Sequence, residues 1–449
     1  MVLSQWPLSP NQKDTGHLEI ANNQVEKLDQ SNTLSVITQF FPPDYAATGQ
    51  LIEELVKHLG QSGMTIEVFT GQPGYAFKSD SAPQVEQTGK VRIQRSRISQ
   101  LFPQQIRGKA INGLLFFLRA GLHVLKASHR GYTLLLTTAP PFLPVLGYLA
   151  NICLGLSYIC LIYDLHPDIA VELGCISANH WLVRLWNSLN IKAWRQAKEI
   201  IVLSSTMKEQ IVAKCPEVAS KISVIHSWAN SEQITPIPKH DNWFAQTHNL
   251  VDQFTVLYSG NMGRCHDTET ILAAAQHLKD EPIQFVFIGG GPKRKAFMAQ
   301  MTTLGLKNCL FLPYQEKENL PYSLTACDLS LVSVCPGMEG LVAPSKLYSA
   351  LAAGRPIAAI CERQSYLTQL IQVAGCGAVF NNGDGINLAN FIRFVRSDAR
   401  LAEAMGKAGR RYLEMHFTPE IIAKQYSRVL RRAMSGSWQH TSESVARVS

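Results

Sequence analysis

The chain contains no Cys-x-x-Cys pair, no Lys/Arg block longer than three residues, no low-complexity tract, and little charge for its length. Its ten cysteines are spread singly along 449 residues. That spacing argues against a disulfide framework or a zinc site and fits small buried residues in a reducing compartment. Without a basic block, the formal charge of +8 is too diffuse for a dedicated nucleic-acid binder. It suits attraction to an anionic membrane surface or a phosphorylated substrate. The first residues hold no basic stretch followed by a short apolar run, so export is not expected. What is present is 46% apolar residues against 17% charged ones, which excludes wholesale disorder and coiled coil. The length suits two or three domains, each able to bury its own core.

Order begins after residues 1–32, which are polar and aperiodic and read as a loose tail. Leu34–Thr38 is a β-branched run ending near Pro42-Pro43. Leu51, Ile52, Leu55, Val56 and Leu59 then recur at helical spacing, and Thr65–Thr70 is a second strand. Strand, loop, helix and strand within so short a span make a βαβ unit and a parallel sheet. Further strands are expected at Val91–Ile93, Tyr132–Thr138, Tyr158–Tyr163, Ile200–Leu203 and Ile222–Ile225. After an aperiodic stretch with Pro236 and Pro238, the rhythm restarts at Thr255–Tyr258. It continues through Gln284–Ile288, Cys309–Leu312, Leu329–Val334 and Pro356–Ile360. The expected architecture is two successive doubly wound α/β domains.

One segment competes with this. Residues 131–163 carry no charge, follow Lys126, His129 and Arg130, and have room for about 20 apolar residues, the length of a membrane span. Pro140, Pro141, Pro144 and Asn151 interrupt the run. The expectation is therefore strand, proline turn, buried helix and strand, rather than a membrane-inserted element.

In an open parallel sheet, ligands sit beyond the carboxyl ends of strands. Ser259-Gly260-Asn261-Met262-Gly263-Arg264 follows a strand and opens a helix. Its glycines allow close backbone approach, and Arg264 adds a charge-assisted contact for phosphate oxygens. Pro344-Ser345-Lys346 gathers N–H donors, a hydroxyl and an ammonium at one helix start, which suits a diphosphate. Each motif also has a plain structural reading, as a strand-ending turn or a helix cap beside a solvated lysine.

Taken in order, these motifs resemble something known. Ser259–Gly263, Phe287-Ile288-Gly289-Gly290-Gly291-Pro292, Leu312-Pro313-Tyr314 and Pro344–Tyr348 with Ala352-Ala353-Gly354-Arg355-Pro356 follow one another. So do Phe41-Pro42-Pro43 with Thr48-Gly49, Tyr163-Asp164-Leu165-His166-Pro167 and Ile225-His226-Ser227-Trp228 in the first half. The set resembles GT-B fold glycosyltransferases of family 4, especially the bacterial branch that builds surface polysaccharides, over residues 33–435. The resemblance implies two Rossmann-like domains facing a cleft, with the last helix crossing back to the first domain. It implies a retaining transfer of sugar from a nucleotide-diphosphate-sugar donor to a hydroxyl of a saccharide acceptor, typically lipid-linked.

On that resemblance the donor meets Gly260, Asn261, Gly263, Arg264, Gly290, Ser345, Lys346 and Ser349, and the acceptor meets Thr48 and Gly49. Asp164 or His166 orients the acceptor hydroxyl or donor sugar, although Asp164 equally suits a cap on the segment after it. His226 suits packing. No metal or cofactor is expected: the chain lacks Asp-x-Asp, and basic residues can take the leaving charge. Two departures stand out. Asn261 and His266 occupy the places of the family's Arg and Lys, and Leu341 and Ser349 those of its paired glutamates, with Glu339 out of register.

The implied organisation is a tail at 1–32, an acceptor domain at 33–230, a linker at 231–252, a donor domain at 253–418, a crossover helix at 419–435 and a tail at 436–449. Arg92, Arg95, Arg97, Arg107, Lys109 and Arg119, interleaved with Leu101-Phe102 and Phe116-Phe117, suit an anionic lipid surface. The expected location is cytoplasmic, peripheral at the inner face of the membrane, with no nucleic-acid partner. A nucleotide-sugar epimerase of the same fold and a non-catalytic nucleotide-sugar-binding scaffold are the alternatives.

Overall fold

The computed structural model describes residues 33–44, 46–73, 82–96, 106–126 and 131–435, with backbone alone at 106, 107, 109 and 110. Both expected tails, Arg97, Leu101 and Phe102, and the side chains of Arg107 and Lys109 fall outside the described residues.

Two sheets organise the molecule. The first has eight strands in the order β3-β4-β2-β1-β5-β6-β7-β8. These are β1 (Thr33–Ile37), β2 (Thr65–Thr70), β3 (Val85–Thr88), β4 (Val91–Arg95), β5 (Thr133–Thr137), β6 (Ser157–Ile162), β7 (Glu199–Val202) and β8 (Ile222–Val224). Only β3 runs antiparallel, against β4. The second sheet is parallel throughout, in the order β11-β10-β9-β12-β13-β14. Its strands are β9 (Phe254–Ser259), β10 (Ile283–Ile288), β11 (Cys309–Leu312), β12 (Leu329–Ser333), β13 (Ile357–Ile360) and β14 (Gly377–Phe380). Strands β1, β5, β12 and β13 are buried along their whole length, as strands covered by helices on both faces must be.

The strand order reverses between β1 and β5 and again between β9 and β12. At such a point the loops leave in opposite directions and open a crevice. The loops after β1, β5 and β6 and those after β9, β10 and β12 therefore bound one region between the domains.

The segment 131–163 forms β5, the helix Leu143–Leu154 and β6. That helix spans about 18 Å, well short of a bilayer core. Among the described residues no helix is long and apolar enough to cross a membrane. Two strands escaped the sequence reading. β3 is an exposed edge strand of sequence Val-Glu-Gln-Thr, and β14 is four residues behind a glycine cap. Neither carries a long apolar run.

The stretch expected as a linker over 231–252 is ordered in its second half. Phe244, Ala245 and Leu250 pack against Leu257, Val286 and Ile288 of the second sheet. Asn242 caps the helix Trp243–Thr247 and donates to Tyr322 O and Thr325 Oγ1. The last helix, Pro419–Met434, packs on the helix Ala47–Gln61 and on β6, so it crosses back to the first domain. Thr418 caps it, Pro419 and Glu420 open it and Arg431 and Arg432 close it, each suited to its end of the helix dipole.

Two residues of the expected basic and aromatic surface belong to the interior. Arg95 is buried, pairs with Glu86, and donates to the carbonyls of Pro83 and Pro42. Phe116 is buried against Phe69, their rings 5.7 Å apart.

Candidate active site

The loops after β9 and β10 are laced together. The Gly260 amide donates to Ile288 O at 2.8 Å and the Met262 amide to Gly290 O at 2.7 Å. Their glycines are required by space as well as by backbone angle. A Cβ on Gly289 (φ +128°) would sit 2.2 Å from Gly260 O, and one on Gly291 would sit 2.4 Å from Asn261 Oδ1. Gly290 lies under Tyr314, whose Cε2 would be 2.7 Å from an added Cβ. Buried Tyr258 holds the loop from below, donating to Asn261 O at 3.0 Å.

Lys346 reaches onto this loop from the start of the helix Lys346–Ala352. Its Cε lies 3.0 Å from where a Gly260 Cβ would be, and the Gly260 φ of +119° is one that side-chain-bearing residues rarely adopt. The ammonium nitrogen is 3.2 Å from His266 Nε2 and 5.2 Å from the centre of the Tyr258 ring. Burial pushes its pKa down to about 8. His266 is also held far toward neutrality, by burial first and then by Lys346 and Lys293. The Gly263 amide donates to His266 Nδ1 at 3.0 Å, which leaves the ring proton on Nε2, facing Lys346. An uncharged amine can accept that proton, whereas an ammonium cannot.

A second cation at this loop went unnoticed in the sequence. Lys293 Nζ donates to His266 O at 2.8 Å and lies 3.7 Å from Cys335 Sγ. Its only sequence signal was its place directly after the Gly-Gly-Gly-Pro turn. Arg264, by contrast, extends to Cys175 Sγ at 3.6 Å, in the first domain. Ser349 Oγ donates to Lys346 O on its own helix at 3.1 Å, and Ser345 makes no side-chain cap.

Across the cleft, β6 delivers Asp164. Thr138 Oγ1 accepts from the amides of Tyr163 and Asp164, and Asp164 forms an isolated antiparallel bridge with Val342 of the second domain. The following short helix, Asp168–Glu172, is entered from Pro167 without a side-chain cap, so Asp164 does not serve it as one. Burial raises the Asp164 carboxyl to about 6. Its charge is felt by Cys265 in the loop after β9, whose thiol is raised to about 11, chiefly by burial. Asp164 and the loop after β9 thus face each other.

His166 points elsewhere. Its ring stacks on Trp186 at 6.1 Å, its carbonyl accepts from Asn190, and burial lowers its pKa to about 4 against the pull of Asp168. Gly49 lies in the first turn of the helix Ala47–Gln61, where a Cβ would stand 3.0 Å from Phe40 and Phe41 backbone atoms; Thr48 precedes it, half-buried. His226 packs between Tyr348, Tyr366 and Phe417. Leu341 is buried. Glu339 is buried too, accepting from Thr206 Oγ1 at 2.7 Å and from the Tyr366 amide at 3.4 Å. It ties the domains together.

The family model described as Glycosyl transferases group 1 matches residues 239–412, which hold the glycine loops, Lys293 and Lys346. Residues 239–412 thus match a group 1 glycosyl transferase domain. Outside that domain the likeness extends through most of the molecule. "Probable glycosyltransferase WbjE" of Pseudomonas aeruginosa is 28% identical over 345 residues, 75% of this chain and 84% of that protein. Among solved structures, Anabaena HepE in complex with UDP-glucose superposes with a TM-score of 0.63 at 16% identity, covering 89% of this chain and 99% of that one. WaaG, a glycosyltransferase involved in lipopolysaccharide biosynthesis, gives a TM-score of 0.64 at 14% identity, covering 88% and 99%. The chain has the GT-B fold, two Rossmann-like domains about a cleft.

Proposed function

We propose that this family 4-type transferase moves a sugar from a nucleotide-diphosphate-sugar to a hydroxyl of a lipid-linked saccharide, with retention, in surface-polysaccharide assembly. The observation that carries the donor half is Lys346, a half-buried amine of lowered pKa lying over Gly260 and against His266 at a topological switch point. A diphosphate entering there meets Lys346 and Lys293, the two cations that bear on His266, and each hydrogen bond to such a cation is worth about 1.5–3 kcal/mol. The UDP-glucose bound by Anabaena HepE makes uridine nucleotides the first donors to try.

Asp164 carries the other half. A carboxylate raised to about 6 by desolvation is poised to accept a hydrogen bond from a sugar hydroxyl at neutral pH. Retention and the lipid-linked acceptor follow the family resemblance. The role of WaaG in lipopolysaccharide biosynthesis is in line with the polysaccharide reading. Lys346 and Lys293 take the leaving diphosphate charge, and no residue is assigned to a metal.

Thermal denaturation with a panel of nucleoside diphosphates and nucleotide-sugars tests the donor site, since a ligand that binds only the native state raises the midpoint. The expected result is a clear rise with one base, lost in Lys346→Ala. No rise with any of them would sink the transferase reading. Conversion of the donor without an acceptor would replace it with the epimerase.

A further inference from the structure

β9 and β12 are the neighbours at which the order of the second sheet reverses, so the loops leaving them part there and open a crevice. One hydrogen bond spans that parting. The Cys335 amide, two residues beyond β12, donates at 2.9 Å to Cys265 O in the loop after β9. A bond of this kind sets the two Cα atoms about 5–6 Å apart, inside the span of roughly 4.4–6.8 Å that a disulfide bridges. The Cys335 sulfur already leans on the other segment, 3.6 Å from Arg264 O, the carbonyl just before Cys265. All ten cysteines are free, and among the described residues no other two are tied by a loop hydrogen bond.

The two thiols face different charges. Lys293 Nζ stands 3.7 Å from Cys335 Sγ while it donates to His266 O. Burial raises the Cys335 thiol, and Lys293 acts against it by favouring the thiolate, which is the nucleophile. Cys265 is turned toward Asp164, whose charge, after burial, keeps that thiol protonated. Both residues are only partly buried, so a small solute in the cleft reaches them.

We propose that Cys265 and Cys335 form a peroxide-responsive pair whose disulfide clasps the crevice at the switch point and shuts out the donor diphosphate. The Cys335 thiolate attacks one oxygen of hydrogen peroxide. The O–O bond breaks, and the departing hydroxide takes up the proton that the thiol released, giving water and a sulfenic acid. The Cys265 sulfur then attacks the sulfenic sulfur. The S–S bond forms, the S–O bond breaks, and the hydroxyl leaves with the Cys265 proton as a second water. The two thiols lose two electrons and the peroxide gains them. The link draws Cys335 Sγ off Lys293 and ties down the residue beside His266, whose ring meets Lys346 at 3.2 Å. The loop has no slack on its other side. Met262 is bonded to Gly290 O, and Asn261 Oδ1 leaves no room for a Cβ on Gly291. The shutting-out rests on the donor reading above; the disulfide itself does not.

In the experiment the full chain is treated with hydrogen peroxide, its remaining thiols are alkylated, and it is digested without reductant for peptide mapping by mass spectrometry. Peptides joined through Cys265 and Cys335 should appear, and should vanish with dithiothreitol and in Cys265→Ser. Absence of that joined pair in the parent protein would overturn the proposal. So would a link from either residue to Cys175, whose sulfur lies 3.6 Å from Arg264, or oxidation of Cys335 to a sulfinic acid in place of the link. The second arm is titration with the nucleoside diphosphate that most stabilises the reduced protein. Its affinity should fall about tenfold or more after peroxide, as for the loss of one charge-assisted contact. It should return with dithiothreitol, and peroxide should leave it unmoved in Cys265→Ser. Undiminished affinity in the linked protein would overturn the clasp. The peptide map needs no nucleotide, so the disulfide and the donor reading stand or fall separately.

Discussion

Lys346 and Asp164 owe their chemistry to lost solvent rather than to strong ion pairs. The first is driven down to about 8 and the second up to about 6, burial being the cause in each. The consequence is a bell-shaped dependence on pH. Turnover should rise as Asp164 deprotonates through about pH 6. Donor affinity should fall above about pH 8, where unliganded Lys346 loses the proton that a diphosphate requires. Lys346→Arg, which stays charged, should flatten the alkaline limb, and donor titration at several pH values checks this. Lys346→Ala should weaken donor binding by about 1.5–3 kcal/mol, roughly 10- to 150-fold, in calorimetry. Gly289→Ala should damage the site differently. Its methyl would meet Gly260 O at 2.2 Å from a positive φ, so a stability loss on the order of 2–4 kcal/mol in urea unfolding is expected.

Among the elements, the segment between β12 and the helix Lys346–Ala352 does the most joining. Leu341 O accepts from the Leu165 amide at 2.9 Å, Val342 bridges Asp164, and Glu339 reaches Thr206. It therefore positions Asp164 and the loop after β9 relative to each other while anchoring its own strand. Among the described residues, Thr206→Val would leave the buried Glu339 carboxylate with only the Tyr366 amide at 3.4 Å. A loss of about 1–3 kcal/mol is expected, with Thr206→Ser recovering most of it. Equal stability of the Val and Ser variants would show that the bond carries no weight.

The molecule as a whole is closed by its last helix. Ile422, Tyr426, Val429 and Leu430 are buried in the core shared with the first domain. Trp228 Nε1 donates to Glu54 Oε2 at 2.6 Å, and Arg432 pairs with Glu199 at 2.7 Å. The last helix, which follows the second domain, thus stabilises the first. Leu430→Ala should cost about 2–5 kcal/mol, and hydrogen exchange should quicken in the helix Ala47–Gln61 before it does in the second sheet. Faster exchange confined to the second sheet would contradict that coupling.

The architecture was readable in one dimension because its determinants are local. Buried parallel strands must be apolar, helices must alternate with them, and glycines must stand where two loops touch. The order of Ser259–Gly263, Gly289–Pro292 and Pro344–Lys346 carried the family likeness for the same reason. What stayed hidden depends on contacts between residues far apart in the chain. Arg95 reads as surface charge until β3, an edge strand without an apolar run, supplies Glu86. Glu339 looks like a displaced sugar ligand until Thr206 of the other domain claims it. His166 and Asp164 stand two residues apart, yet one stacks on Trp186 while the other faces the donor loop. Periodicity told which side of a helix is apolar. Only packing decided that the helix Ile106–Val124 has two such sides and that the sheet covers just one of them.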